Sequence, residues 1–288
     1  MLPFRKILFP VDYSEPCRAV VPYVKEMAQR FSAEVTLVHA YPPMLLPYGD
    51  LAIDPLLPEE IQSYEAARLR AFALETFPDQ RVETILEQGE AGTVVHRVVQ
   101  HQGTDLVMLG THGYGPVRRF LLGSLTAKVL HDVSAAVWTA AGSTLAGWAP
   151  ATEYKSVLCA LDESEEAEAV LRAAASLART YSAQLSLVHV LEMPRSSLKF
   201  DFSPYKRDLF DEAEFKLREM KSRLEIDAPQ AVIEAGEATI AEGIHREALR
   251  RNADLIVMGR GGMQGTFTRM WSRLYPVIRE SPCPVLSI

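Results

Sequence analysis

Cysteine is scarce in this chain. Cys17, Cys159 and Cys283 stand alone and far apart. Their spacing excludes a disulfide framework and the paired cysteines of a zinc site, and it points to a reducing cytoplasm. Long apolar runs are also missing: with no stretch of about 18 apolar residues, no membrane span is expected. Met1 to Lys6 leads straight into a strand pattern, without the zoned layout of a signal peptide. A basic surplus is absent as well. The first 150 residues hold 12 Lys and Arg against 16 Asp and Glu, and the rest hold 18 against 21. Neither half suits a nucleic-acid face. What remains is ordinary globular composition, 48% hydrophobic and 23% charged with net charge -7. The length, 288 residues, suggests about two domains, each able to bury its own core.

One stretch organises the reading. Gly110 to Leu125 runs G-T-H-G-Y-G-P-V-R-R-F-L-L-G-S-L. The apolar run Leu106 to Leu109 leads in, and a helical pattern from Ser124 to His131 leads out. The order is strand, glycine loop, helix. Unpaired amides and the positive dipole end make a helix start suited to phosphate. Gly110, Gly113, Gly115 and Gly123 let the backbone come close to an anion. Ser124 adds a hydroxyl at the expected cap. A surface loop with turn glycines is the plainer alternative.

The rest of the first half alternates strand and helix. Strands are expected near 5–12, 35–40, 82–87, 106–109 and 135–140, and helices near 14–30, 59–76, 92–101 and 124–131. Then the pattern starts again. Phe31 to His39 returns as Tyr181 to His189, and Asp12 as Asp162, both 150 residues on. His96-Arg97 returns as His245-Arg246, and Asp105 to Gly110 as Asp254 to Gly259, both 149 on. One domain of about 140 residues is duplicated, at a period too long for a solenoid. The seam is Gly142 to Glu153. Alternation implies α/β folding with two doubly wound parallel sheets, each five-stranded. In strand order 3-2-1-4-5 the ligand crevice lies between strands one and four. Asp12 closes the first and Gly110 the second, so two features meet at one crevice.

On these residues the chain resembles a tandem universal stress protein. Gly110, Gly113, Gly123 and Ser124 match that family's G-x2-G-x9-G-[ST] motif at every spacing. Ile7 to Ser14 and Leu37 to Ala40 fit its first two strands. The resemblance implies an adenine nucleotide alpha hydrolase-like fold, with domains at 1–141 and 153–288. It implies ATP as ligand and leaves Mg²⁺ open. Asp12 and the Pro10 and Ala40 backbones would line the adenine and ribose end. Gly110, Thr111, His112 and Gly113 would wrap the phosphates, and Gly123, Ser124 and the Leu125 amide would hold the outer ones. It also implies an intramolecular pseudo-dimer, with Ala135 to Ala140 and Pro284 to Ile288 as candidate contact strands, and leaves a homodimer open. The second copy departs: Trp271-Ser272 stands where Gly123-Ser124 stood, and Pro276 removes an amide. That copy is expected to bind nucleotide weakly or not at all.

Several residues carry two readings. Asp12 serves as a ligand group or organises the turn into the first helix. His39 and His189 read as hydrogen-bonded structural histidines rather than catalysts, since no nucleophile partners them at a readable spacing. His112 meets a phosphate or is exposed. Arg118 and Arg119 clamp the γ-phosphate or are solvated. The apolar connection from Tyr41 to Pro58 is a lid or a satellite core. Three functions compete: an ATP-dependent regulator in the stress response, a slow ATPase, and a dimerising scaffold with vestigial sites. The loop has no acidic residue and no P-loop lysine, and the chain lacks the H-I-G-H and S-G-G-x-D-S motifs of adenylating enzymes. The first function is therefore expected, with little turnover.

Overall fold

The computed structural model of the chain describes residues 3–42, 58–111, 122–140, 153–191, 203–234, 239–260 and 274–288. In the first half, β1 (Lys6–Pro10), β2 (Glu34–Tyr41), β3 (Val82–Gln88), β4 (Leu106–Gly110) and β5 (Ala136–Ala140) lie in the order β3-β2-β1-β4-β5. β1 pairs in parallel with β2, Lys6 opposite Glu34, and with β4, Ile7 opposite Leu106. Expected strand order and fold class are both present. Ile7, Leu8, Phe9 and Leu106 to Met108 are almost wholly buried. This is why their runs are apolar throughout rather than alternating: helices cover both faces of such a sheet.

The helices are α1 (Glu15–Phe31), α2 (Pro58–Thr76), α3 (Ala91–Gln102) and α4 (Ser124–Asp132). In α1 the apolar stripe of Val20, Val21, Val24, Met27 and Ala28 is buried. Ser32 ends the helix in the left-handed region and returns its amide to Ala28 and Gln29. The sharp reversal delivers the chain to β2. At the N-terminal ends of the strands, Asp105 Oδ2 accepts from the Arg5 and Lys6 amides at 2.8 and 2.9 Å. This contact locks β4 beside β1.

The second half repeats the plan. β6 (Ser156–Leu161), β7 (Gln184–Leu191), β8 (Gln230–Glu234), β9 (Leu255–Met258) and β10 (Val285–Ser287) stand in the order β10-β9-β6-β7-β8. The helices are α5 (Ala167–Tyr181), α6 (Ser203–Arg223), α7 (Ile240–Arg250) and α8 (Tyr275–Glu280). Asp254 repeats the Asp105 lock on the Lys155 and Ser156 amides at 2.7 and 3.0 Å. The chain divides into two compact units within β5, at Val137 and Trp138. Trp138 and Thr139 belong to the second unit, where Trp138 Nε1 donates to the Tyr154 hydroxyl and Thr139 Oγ1 to the Val285 carbonyl. Among the described residues no helix is long and apolar enough to cross a membrane.

α7 carries a buried charged group, Glu247, in the second unit. Glu247 is buried and held by Arg250 and Arg251 at 2.6 and 2.9 Å. The Arg250 hydrogen bonds, opposed by burial and aided by Arg251, hold its carboxyl below the usual 4.5. A depressed carboxyl stabilises the fold above its unfolded pKa, and this is lost as pH falls through the lower folded value. Glu247→Gln is therefore expected to cost about 2 kcal/mol near neutral pH. The gap to the unchanged protein should close as pH falls below 4.5, measured by urea unfolding across pH.

Candidate functional site

The crevice forms where β1 and β4 end side by side. Pro10 ends β1 and Gly110 ends β4. Beyond β1 the chain turns sharply at Asp12-Tyr13-Ser14. Asp12 Oδ1 accepts from the Ser14 amide at 2.9 Å and the Ser14 hydroxyl at 2.6 Å. Ser14 Oγ in turn accepts from the Cys17 amide at 3.2 Å and caps α1. The turn reading of Asp12 thus holds for Oδ1, while the residue also lines the crevice.

Beyond β4 the loop returns at α4, and here the expectation for Ser124 needs correction. Gly123, not Ser124, is the cap: it is extended (φ −60°, ψ 147°) and its carbonyl accepts from the Ala127 amide at 2.9 Å. Ser124 is the first helical residue, one place too far on for its hydroxyl to cap. The Gly123 amide donates to the Thr111 carbonyl at 2.9 Å, and Thr126 Oγ1 to the Gly110 carbonyl at 3.2 Å. These two bonds seat the helix start on the strand end. A Cβ at Gly123 would meet the Thr111 carbonyl oxygen at 3.1 Å, so the close approach favours glycine.

Three helix starts line this crevice, and they are not equivalent. α1 is capped by Ser14. α3 is capped by Glu90, whose carboxylate accepts from the Gly92 and Thr93 amides at 2.9 and 2.8 Å. Those bonds hold the Glu90 carboxyl below its usual value against the burial that opposes them. α4 has no side-chain cap. Its first amides, of Ser124, Leu125 and Thr126, are the ones left for an anion.

A cavity of about 270 Å³ lies between these elements. Of the residues expected at the site, Pro10, Asp12, Ala40, Gly110, Gly123, Ser124 and Leu125 line it. Thr111 does not. It is fully buried, and its carbonyl serves Gly123 instead. His112 and Gly113 lie outside the described residues, as do Gly115, Arg118, Arg119 and all of the Tyr41 to Pro58 connection between 43 and 57. Val38 and His39 from β2, with Ala91 and Val95 from α3, complete an apolar wall that was not read from the sequence. Ala91 and Val95 are one helical turn apart, which was the available signal. Cys17 also lines the cavity, but burial pushes its thiol up to about 12, so it is no nucleophile.

His39 takes the structural role expected of it. Its Nδ1 lies 2.7 Å from the Val11 carbonyl, which can only accept, so Nδ1 carries the proton. Glu65 Oε2 of α2 lies 3.5 Å from Nε2, an electrostatic contact without hydrogen-bond geometry. His189 repeats the first bond, with Nδ1 2.8 Å from the Leu161 carbonyl.

The model of the universal stress protein family matches this chain twice, at residues 3–140 and 153–288. The chain belongs to the universal stress protein family. Among curated members, the "Universal stress protein in QAH/OAS sulfhydrylase 3'region" of Thermus aquaticus is 30% identical over 129 residues, 45% of this chain and 93% of that one. "Universal stress protein A homolog 1" of Coxiella burnetii is 28% identical over 47% of this chain and 96% of that one. Among solved structures, a universal stress protein from Archaeoglobus fulgidus superposes with a TM-score of 0.70 at 20% identity, covering 98% of this chain and 95% of that one. That likeness concerns the fold.

The two family repeats differ at the helix that follows the glycine loop. α8 is six residues long, its cap Leu274 offers no side-chain bond, and proline occupies its first turn. Pro276 has no amide to offer an anion. Leu274 and Tyr275 are buried at the start of α8. Trp271 and Ser272 lie outside the described residues.

Thr126→Val should separate the seating of α4 from ligand contact. Loss of the bond to the Gly110 carbonyl is expected to cost about 1 kcal/mol, read by chemical denaturation, with little change in secondary structure.

Proposed function

We propose that the first domain is an ATP-binding regulatory module. The observation that carries this reading is the start of α4. It opens onto the crevice between β1 and β4 without a side-chain cap, while its neighbours α1 and α3 are capped by their own chain. The Ser124, Leu125 and Thr126 amides would hold the outer phosphates, with the glycine backbone at Gly123 allowing close approach. The wall from Pro10, Val38 and Ala40 to Val95 would face the base and ribose.

A regulatory role suits this chemistry better than turnover. Hydrolysis needs a positioned water and charge stabilisation around the γ-phosphate. Asp12 has Oδ1 engaged by Ser14, and the Cys17 thiol stays protonated. Among the described residues no cluster of His, Cys, Asp and Glu could hold a metal. Mg²⁺ brought in with ATP would take its ligands from phosphate oxygens and water. Occupancy would order the elements around the crevice and so change what the surface offers a partner. The three cysteines are buried free thiols, which suits a reducing compartment such as the cytoplasm.

The second domain, with proline in the first turn of α8, would bind nucleotide weakly or not at all. Calorimetric titration of the full chain should give about one ATP per chain, and Gly123→Trp should weaken binding at least about 100-fold, or 2.7 kcal/mol. Unchanged affinity in that variant would remove α4 from the phosphate site. Phosphate release should stay below about one per minute at 25 °C, a barrier near 20 kcal/mol; a faster rate would favour the ATPase.

A further inference from the structure

The two repeats part company at a second place, beside α2 and its counterpart α6. In the first repeat the residue after the turn aspartate is Tyr13, which is 9% exposed. Its ring centroid lies 4.7 Å from that of His39 and 5.6 Å from that of Phe72, and Arg68 Cζ sits 3.9 Å over its face. Tyr13 holds φ at +64° to reach this position, a left-handed conformation disfavoured for a residue with a Cβ.

In the second repeat the aspartate–serine pair is kept, the left-handed residue after the aspartate is not, and the ring is gone. Asp162 Oδ1 accepts from the Ser164 amide at 3.1 Å and its hydroxyl at 2.5 Å, as Asp12 does from Ser14. Glu163 takes the place of Tyr13, is exposed, and reaches Lys216 at 3.0 Å. Lys216 stands for Arg68, since each reaches the residue after the turn aspartate. One turn further along α6, Met220 then stands for Phe72; Leu217 stands for Leu69 and Ala213 for Glu65. The space that Tyr13 fills in one repeat is a cavity of about 230 Å³ in the other.

The lining of this cavity is specific. Ala213, Leu217 and Met220 give it an apolar side and His189 a wall, while Asp162, Glu163, Ser164, Lys216, Glu219 and Arg223 make the rest polar; Lys216 is paired with Glu163 and Glu212 at 3.0 and 2.7 Å. His189 is 8% exposed, and its Nδ1–H is committed to the Leu161 carbonyl. In the first repeat the other nitrogen of the equivalent His39 faces Glu65. Ala213 removes that carboxylate, and His189 lines the cavity with Nδ1 committed to Leu161, which leaves Nε2 for a ligand.

We propose that the second domain holds its own small-molecule site here, for a planar aromatic ring of phenol size that carries a hydroxyl. The ring takes the position that Tyr13 has in the first repeat, against His189 and the Met220 thioether, with the Lys216 ammonium over its face. The hydroxyl donates to His189 Nε2. Size agrees: an apolar cavity of about 150 Å³ is enough for benzene. The site is separate from the β1–β4 crevice and independent of the ATP reading.

The probe is p-cresol, the tyrosine side chain as a free molecule, titrated into the full chain labelled with ¹³C-methyl methionine. A saturable upfield shift of the Met220 methyl is expected, assigned through Met220→Leu. Ala213→Leu fills the cavity and should weaken binding at least about ten-fold. Lys216→Ala changes only a surface side chain, so it decides the matter if Ala213→Leu fails to fold; about a two- to five-fold loss is expected. Tyr13→Ala combined with Glu65→Ala should open the matching space in the first repeat and raise the calorimetric stoichiometry from about one to about two. No saturable shift up to the solubility limit of p-cresol would overturn the proposal. So would affinity unchanged in the folded cavity-filling and lysine variants, or a Met220 shift produced by adenosine but not by p-cresol.

Discussion

Two hydrogen bonds decide what the first domain can do. The Thr111 carbonyl holds the Gly123 amide, and the Gly110 carbonyl holds the Thr126 hydroxyl. Together they dock the start of α4 on the end of β4. A helix start is attractive to an anion only if its amides are unsatisfied and fixed in place. The fixing comes from backbone that would otherwise need partners of its own. Strand end and helix start thus satisfy one another and leave the next three amides for something else. The neighbouring starts lack this quality because Ser14 and Glu90 fill them.

Duplication makes the same frame visible twice. Both repeats lock the strand ends with an aspartate, Asp105 or Asp254, and both turn out of the first strand on an aspartate–serine pair. Both fix a histidine by its Nδ1 on the carbonyl one residue before that aspartate. What changed between the copies lies on this frame rather than in it. The first repeat keeps an open helix start and fills the space beside α2 with Tyr13. The second has proline at the helix start and opens the space beside α6. These are opposite choices at two positions, made without altering the sheet.

Much of this was legible in the chain itself. Strand runs, the helix stripe of α1 and the 150-residue repeat between β2 and β7 are patterns of single residue types, and burial imposes them locally. Seven of the ten expected site residues line one cavity because they are strand ends or a helix start, and topology brings such ends together. The cap shifted by one residue from Ser124 to Gly123 because capping depends on backbone dihedrals, which both residues tolerate. The apolar wall from Ala91 and Val95 was missed because the helix was placed near 92–101 without a face being assigned to it.

The amino-acid order by itself determined that there are two α/β repeats, that each has a parallel sheet, and that the glycine stretch follows the fourth strand of the first. Apolar periodicity and spacing carry that information, since both arise from contacts along one element. Only the tertiary structure decided which helix start is uncapped, that Thr111 turns inward, and that replacing Tyr13 by Glu163 leaves a cavity beside His189. Those outcomes rest on contacts such as Arg68 over Tyr13 and Lys216 to Glu163, between side chains more than fifty residues apart. No local pattern encodes such pairs, because what a side chain fills or leaves open depends on what the fold brings opposite it.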